Sequence, residues 1–460
     1  MKKLISLMLV LAMVFTVAGC DGSDEEKDKK VKDDLFSIYE ELRPIYTGNT
    51  TNEDVGNYLA GVADREGIYN TALPGGGLLL MKQADPHYQN TPSTTIQCSI
   101  SKENRHEDAQ VAAIALTVLT NTQNHGQITI LFTGEENGEY YGVQSLSKAH
   151  LKTDNLINLR YSAKAQLITG SACSQEYTLL SKAEMTAPEV TKTYEISLTS
   201  QEGTLDSKDR SSYPNPIMTL GLLLSDCRNS GINLQIASFE GSISPGKYPI
   251  YAKAIIVIQP DDEQRLISKI ESSIDRFESK HSEIKPQLDY KYASVSSPNA
   301  VLSHDSTTRL LSLIYTIDDG VPKGEEAEIL TSSTVEKINI AENVEVTVLE
   351  RSLSAEEQKS FRRTYENIAK LNSYSFSSLP HDTLWESPKE NFLADSLSIA
   401  AGQHGLKLKS ESSLESNECA ILTTKKEDLK AISFGVNIQQ GLEISQTLIL
   451  FLESLHQSKH

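Results

Sequence analysis

Hydrophobic and polar positions follow two rhythms along the chain, a recurrence every three to four residues and a two-residue alternation, and these predict an ordered set of helices and strands. DLFSIYEELRPIY (34–46) and NEDVGNYLAGVADREG (52–67) carry the helical recurrence, the second with Asn52 as its expected cap. GGLLLM and TTIQCSI are strand-like runs, DAQVAAIALTVLTN is a strongly apolar helix with an acidic start, and GQITILFTG is the next strand. Strand, helix, strand at this spacing predicts an α/β unit with a mostly parallel sheet. Ligand sites in such sheets lie at the carboxyl ends of the strands.

Near residue 190 the texture changes. KTYEISLTS, INLQIASFEG and YAKAIIVIQP alternate like half-buried strands around the helical PIMTLGLLLSDCRNSG, and an amphipathic helix, DDEQRLISKIESSIDRFESKHSEIK, follows. VEKINIAENVEVTVLERS and SAEEQKSFRRTYENIAKLN repeat the order of strands and then helix, so 189–387 reads as an inserted α+β domain with two loosely similar halves. ENFLADSLSIAAGQHG, KKEDLKAISFGVNI and GLEISQTLILFLESLHQ return to the first texture. The predicted architecture is therefore a split α/β domain, 35–188 and 388–460, interrupted by the second domain.

The first residues set the compartment. MKKLISLMLVLAMVFTVAGC joins two lysines, an apolar run and small residues, the pattern of a secretory signal. Val17-Ala18-Gly19-Cys20 resembles the bacterial lipobox, which implies that residues 1–19 are removed and that Cys20 is acylated. The charged segment GSDEEKDKKVKDD (22–34) has no apolar period, so 20–34 reads as an acylated cysteine and a flexible tether. The expected location is the extracytoplasmic side of a bacterial cell membrane, held through lipid. Loss of Lys2 and Lys3 with the signal takes the formal charge from -19 to -21. No long basic tract offsets it, which disfavours a nucleic-acid partner. Cys98, Cys173, Cys227 and Cys419 are far apart without a CxxC pair and are expected to be buried thiols.

Candidate chemistry centres on ILFTGEENGEYYG (130–142), an apolar strand running into Glu135, Glu136 and a glycine-rich turn. With DAQVAAIALTVL before it, LINLRYSAKAQLITGSA after it, VSSPNAVLSHDSTTRLLSLIYTIDDGVPK in the middle region and ESNECAILTTKKEDLKAISFGVNI near the end, the chain resembles the aminoacyl-histidine dipeptidases of the M20 metallopeptidase family. The resemblance implies a binuclear site in which histidines and carboxylates hold two divalent metals while a glutamate acts as general base. Carried over one position at a time, the base falls on Glu135 and a ligand on Glu136. The bridging aspartate falls on Glu107 or Asp108. Ser99, Ser101, Arg160 and Leu414 stand at the remaining ligand or orienting positions, and Thr204 stands where the family has a lid-domain histidine.

Arginine at a ligand position brings a permanent positive charge, and leucine brings no donor atom. These substitutions imply that Glu135 is a vestigial base, that Glu136, Glu107 and Asp108 are vestigial or weak ligands, and that no metal cofactor is bound. A rebuilt site would take one or two divalent ions of zinc, manganese or cobalt. RHEDA also offers His106 beside Glu107 and Asp108, although a charged helix start is ordinary dipole compensation. Arg160 is alternatively a salt-bridge partner for Glu135 and Glu136. His304 and His404 read as surface or packing residues. The leading expectation is a surface-anchored, non-catalytic binding module with a small peptide as one possible ligand; the runner-up is a metal-dependent dipeptidase-like hydrolase. The resemblance further implies a homodimer formed through the inserted domain.

Overall fold

The computed structural model describes residues 21–135, 140–188, 192–200, 214–241, 249–283, 288–320, 331–386, 388 and 390–457. From the amino-terminal side come α1 (Asp21–Thr47), α2 (Asn52–Arg65), β1 (Tyr69–Leu73), β2 (Gly77–Lys82), β3 (Thr94–Ser101), α3 (Arg105–Asn121), β4 (Ile128–Glu135), the short α4 (Tyr141–Ser145), β5 (Asn155–Tyr161) and β6 (Gln166–Ser171). Next are β7 (Cys173–Lys182), β8 (Met185–Thr186), β9 (Lys192–Thr199), α5 (Pro216–Asn229), β10 (Leu234–Glu240), β11 (Tyr251–Ile258), α6 (Glu263–Lys280) and β12 (Asp289–Ser294). Then follow β13 (Val301–Leu302), α7 (His304–Thr316), β14 (Thr331–Ile340), β15 (Asn343–Ser352), α8 (Ala355–Leu371) and β16 (Ser375–Asp382). The last elements are α9 (Phe392–Gln403), β17 (Ser410–Ser413), α10 (Glu418–Lys425), β18 (Lys430–Val436) and α11 (Gly441–Ser454).

The chain forms two compact units, one of Met1–Thr169, Pro388–Glu411 and Ile421–His460, the other of Gly170–Ser387 and Ser412–Ala420. The crossover at 170 corrects the expected boundary at 189. Its cause is β7, which pairs along its length with β15 and β16 and so belongs to the second unit.

In the first unit the sheet has the order β1-β2-β4-β3-β5-β18-β6-β17. β4, β3, β5 and β18 are parallel neighbours, while β1, β2 and β6 join antiparallel. One face, with Ile96, Cys98, Ile100, Ile130, Phe132, Leu159 and Phe434, lies in a core shared with α1, α2, α3, α9 and α11. α3 is rich in alanine and buried through most of its length, and small side chains let α1 and the sheet approach it closely. Its carboxyl end is closed by Lys82, whose Nζ donates to the carbonyls of Leu119 at 3.0 Å and Thr122 at 2.8 Å.

The expected tether is helix. Asp21–Thr47 is one continuous element, and Val31, Leu35, Tyr39, Leu42 and Tyr46, spaced four, four, three and four apart, are all buried. That stripe is worth on the order of 10 kcal/mol of gross burial and carries the charged turns before it. Lys27 pairs with Glu453 at 3.3 Å, and Gln446 Nε2 donates to Asp28. The cap of α2 is Thr51 and not Asn52: Thr51 and Asp54 form a reciprocal capping box. Asn52 is wholly buried and donates to the carbonyl of Ile100 at 3.1 Å.

The second unit realises the two similar halves. β9-α5-β10-β11-α6-β12 makes one antiparallel sheet of order β10-β11-β9-β12, and β7-α7-β14-β15-α8-β16 makes another of order β14-β15-β7-β16. Numbered within each half, both sheets have the same strand order, that of the ferredoxin-like βαββαβ unit. The first half is inserted into the second between β8 and β13, and these two strands pair to close the insertion. The sheets meet edge to edge where Gly241 and Ile338 exchange backbone hydrogen bonds of 3.0 and 2.8 Å. A single apolar core serves both halves. Cys98, Cys173, Cys227 and Cys419 are buried and outside any disulfide.

Within that core Glu350 on β15 is 1% exposed, beside Tyr177, whose ring stacks on Tyr365 and Phe376. The Tyr177 hydroxyl donates to Glu350 Oε2, while Oε1 has no hydrogen-bond partner among the described residues. Burial pushes the carboxyl up to about 7; the Tyr177 hydrogen bond opposes this and the Glu357 charge reinforces it. The native state therefore holds its proton after the unfolded state, titrating near 4.5, has lost it. Stability falls as pH rises from about 4.5 to about 7, by on the order of 3 kcal/mol, and falls no further above that window. Urea unfolding of Glu350→Gln is expected to match the parent near pH 4.5 and to exceed it at pH 8 by roughly 1–3 kcal/mol. A difference independent of pH would show that Glu350 is not the titrating group.

Candidate functional site

The rim of the first unit's sheet is built by alternation. β3 pairs with β4 so that Ser99 is opposite Thr133 and Ser101 opposite Glu135; β3 also pairs with β5, with Cys98 opposite Leu159. One step on, Arg160 lies beside the Ser99 level, and Gly435 of β18 is opposite it. Ser99, Ser101, Glu135 and Arg160 thus share one face at the carboxyl ends of three neighbouring strands. Gly134 fixes the backbone there: a Cβ on it would lie 1.7 Å from the carbonyl oxygen of Gly75, itself at φ 70°. No side chain is compatible with that approach.

Directly behind the rim, on the same face, runs a buried polar ladder that the sequence reading missed. Ser433 Oγ donates to Asn158 Oδ1, Asn158 Nδ2 donates to Gln97 Oε1, and Gln97 Nε2 donates to Thr133 Oγ1 at 2.9 Å. All four residues are at most 1% exposed. The ladder crosses β18, β5, β3 and β4 in sheet order. Its signal was present in the sequence: β3, β4 and β5 carry polar residues at alternate positions, such as Gln97, Ser99 and Ser101 within TTIQCSIS. A buried amide with every bond made fixes strand register, because a one-residue slip would turn it into the apolar core.

The β3–α3 turn occupies the residues expected as weak ligands. Asp108 Oδ2 accepts from the amide and the hydroxyl of Ser101, both at 2.7 Å, and Asn104 N donates to Ser101 Oγ at 3.1 Å. Asp108 Oδ2 thus fastens the turn. Arg105 Nη2 donates to Asn52 Oδ1 at 2.8 Å and to the carbonyl of Thr50 at 3.2 Å. Glu107 sits partly exposed in the first turn of α3, and His106 is exposed with its ring edge-on to Tyr39. Consecutive helical residues point about 100° apart, so Glu107 and Asp108 do not face one point.

Leu414 is buried in the second unit, where its carbonyl accepts from Arg351 Nη1 at 3.1 Å. His304 is exposed at the start of α7, and His404 follows α9 as its cap. Glu136, Thr204 and Cys20 lie outside the described residues. Among the described residues, no group of three or more His, Cys, Asp or Glu stands close enough to hold a metal ion.

The chain shares its fold, an α/β unit with an inserted α+β unit, with solved peptidase structures. The solved aminoacylhistidine dipeptidase of Vibrio alginolyticus is similar to the chain with a TM-score of 0.73 and 16% identity, covering 91% of this chain and 96% of that one. A tripeptidase from Staphylococcus aureus has a TM-score of 0.51 and 11% identity, over 93% of this chain and 99% of its own. Aminopeptidase PepT from Bacillus cereus has a TM-score of 0.50 and 8% identity, over 92% and 98%. Neither a protein-family model nor a curated protein matches the sequence. At such identities the likeness establishes the fold and leaves the chemistry to be argued from the residues.

The ladder gives a direct test. Asn158→Leu strands the partners on both sides and is expected to cost roughly 2–4 kcal/mol. Gln97→Leu is expected to cost a similar amount, and the double variant to cost clearly less than their sum, because the two amides no longer leave each other unsatisfied. Strict additivity in urea unfolding would mean that the two side chains are not coupled.

Proposed function

We propose that the chain is a lipid-anchored protein with an M20-type fold that acts as a non-catalytic binding or interaction module on the extracytoplasmic side of a bacterial membrane. The reading is carried by Arg160. Its backbone position at the end of β5, on the face that bears Glu135 and Ser99, is where the family resemblance implies a metal-ligating carboxylate.

The donor set does not fit a binuclear centre. A guanidinium repels a dication, Ser99 and Ser101 are weak neutral donors, and Asp108 Oδ2 is already engaged by Ser101. Glu135 has no evident activated water to deprotonate, and a base without a nucleophile does not hydrolyse an amide. A small peptide is the ligand class that the fold's relatives suggest, and pairing of two copies through the second unit is part of the same proposal. Glu135 itself is what favours the second reading, a rebuilt metal-dependent dipeptidase: it ends β4 at the rim of the sheet, where such a base would stand.

Lipid attachment rests on Val17-Ala18-Gly19-Cys20. Cys20→Ser is expected to move the chain from the membrane to the soluble fraction or to leave it unprocessed, and unchanged membrane retention would remove the anchor from the proposal. Aminoacyl-histidine dipeptides are expected to survive incubation with purified protein supplied with zinc, manganese or cobalt. Turnover that disappears in Glu135→Gln, with metal bound on the same samples, would establish the hydrolase reading instead.

A further inference from the structure

α1 joins the position of Cys20 to the folded body without a tether, and the contacts along it show which end of the sheet it starts from. α3 follows β3 and α11 follows β18, so each runs back against the parallel strands and ends at their amino termini. The early part of α1 touches those ends: Asn121 at the close of α3 donates to Asp34 at 3.0 Å, and Glu453 at the close of α11 pairs with Lys27. The last turn of α1 lies at the opposite pole. Tyr46 is wholly buried there, within electrostatic reach of Asp108 and Arg105 at the start of α3.

We propose that α1 is a rigid strut that seats the amino-terminal end of the first unit's sheet on a lipid bilayer and directs the rim carrying Ser101, Glu135 and Arg160 away from it. This rests on the acylation of Cys20 in the preceding reading. The first docked residues, Lys27 and Asp28, are about 10 Å of helix from Cys20, whereas α1 as a whole spans about 40 Å. A random coil over 21–34 would give an r.m.s. reach of roughly 20 Å and let the body tumble. A docked helix leaves no such slack, because swinging the body over would separate the stripe from Val31 to Tyr46 from its core.

Charge fits the same orientation. The whole chain has a formal charge of -19, but the amino-end loops interleave Lys152, Lys426 and Lys430 with Asp85, Asp154, Glu427 and Asp428. The charges of these loops nearly balance, three basic against four acidic, and charge farther than roughly 8–10 Å from an anionic bilayer is screened by salt. Lysines here are interleaved with acids, so the acyl group provides the attachment and α1 provides the direction.

The test uses the acylated full-length protein reconstituted into phosphatidylethanolamine–phosphatidylglycerol vesicles that carry a headgroup energy-transfer acceptor. A donor dye is placed on Lys152→Cys at the amino end or on Glu103→Cys at the rim; both native residues are exposed, and Cys98, Cys173, Cys227 and Cys419 are buried. Co-sedimentation with the vesicles is measured first. Transfer from position 152 is expected to exceed that from position 103 roughly threefold or more, given about 40 Å of strut. A flexible Gly-Ser insert of about 20 residues between Cys20 and Asp21, with a reach of roughly 25 Å, is expected to bring the ratio near one. Sedimenting protein with equal transfer from both positions overturns the strut while leaving the anchor intact. A ratio that survives the insert overturns it too, because the face would then be binding lipid by itself. Protein that does not sediment overturns the anchor, and the strut with it.

Discussion

Side-chain alternation across the four parallel strands β4, β3, β5 and β18 is the constraint on which the first unit depends. One phase of the alternation supplies Cys98, Phe132, Leu159 and Phe434 to the helix-covered core; the other supplies Thr133, Gln97, Asn158 and Ser433 to the ladder. The two phases hold each other in place. Shifting β3 by one residue would carry Gln97 into hydrocarbon and Cys98 into the ladder, a loss on both faces that no local adjustment repairs. The positions of Ser99, Ser101, Glu135 and Arg160 follow as the next steps of the polar phase.

The turns around the rim are fastened by hydrogen bonds and close backbone packing. In sites where metal binding is part of folding, ligand side chains are drawn together by the ion. Here Asp108 is held by Ser101, Arg105 by Asn52, and the end of β4 by the approach of Gly134 to Gly75, each through groups belonging to the chain itself. Arg160 adds a fixed positive charge to the face that bears Glu135.

Long periodic elements were legible in the sequence, because their period reports the faces they bury: the strongly apolar α3, the closing α11 and the alternating strands of the second unit all follow their patterns. The failures have identifiable causes. GSDEEKDKKVKDD reads as tether because nothing local favours order, yet the stripe that begins at Val31 continues into the next segment and extends the helix backwards. Asn52 has the chemistry of a cap, but Thr51 with Asp54 outcompetes it and leaves Asn52 for the turn after β3. The boundary near 170 was hidden because β6 and β7 adjoin in sequence while pairing into different sheets. Duplication in the second unit was visible as an order of elements, whereas the equivalence of the two strand orders required the pairing itself.

The TGEE segment separates into a part explained by packing and a part explained only by chemistry. Gly134 is needed because a Cβ would meet the Gly75 carbonyl at 1.7 Å, a requirement that holds whether or not any reaction occurs at the rim. Thr133 is needed as the terminus of the ladder, again without reference to a substrate. Glu135 is the residue whose type calls for a chemical reason, and its resemblance to a general base carries weight only to the extent that neighbouring groups generate a nucleophile. Ser99, Ser101 and the Arg160 guanidinium are poor metal donors, which is the chemical ground of the proposed non-catalytic reading. Part of the motif's likeness to a peptidase thus follows from the backbone geometry of a parallel sheet rim, since packing and the ladder alone account for Gly134 and Thr133.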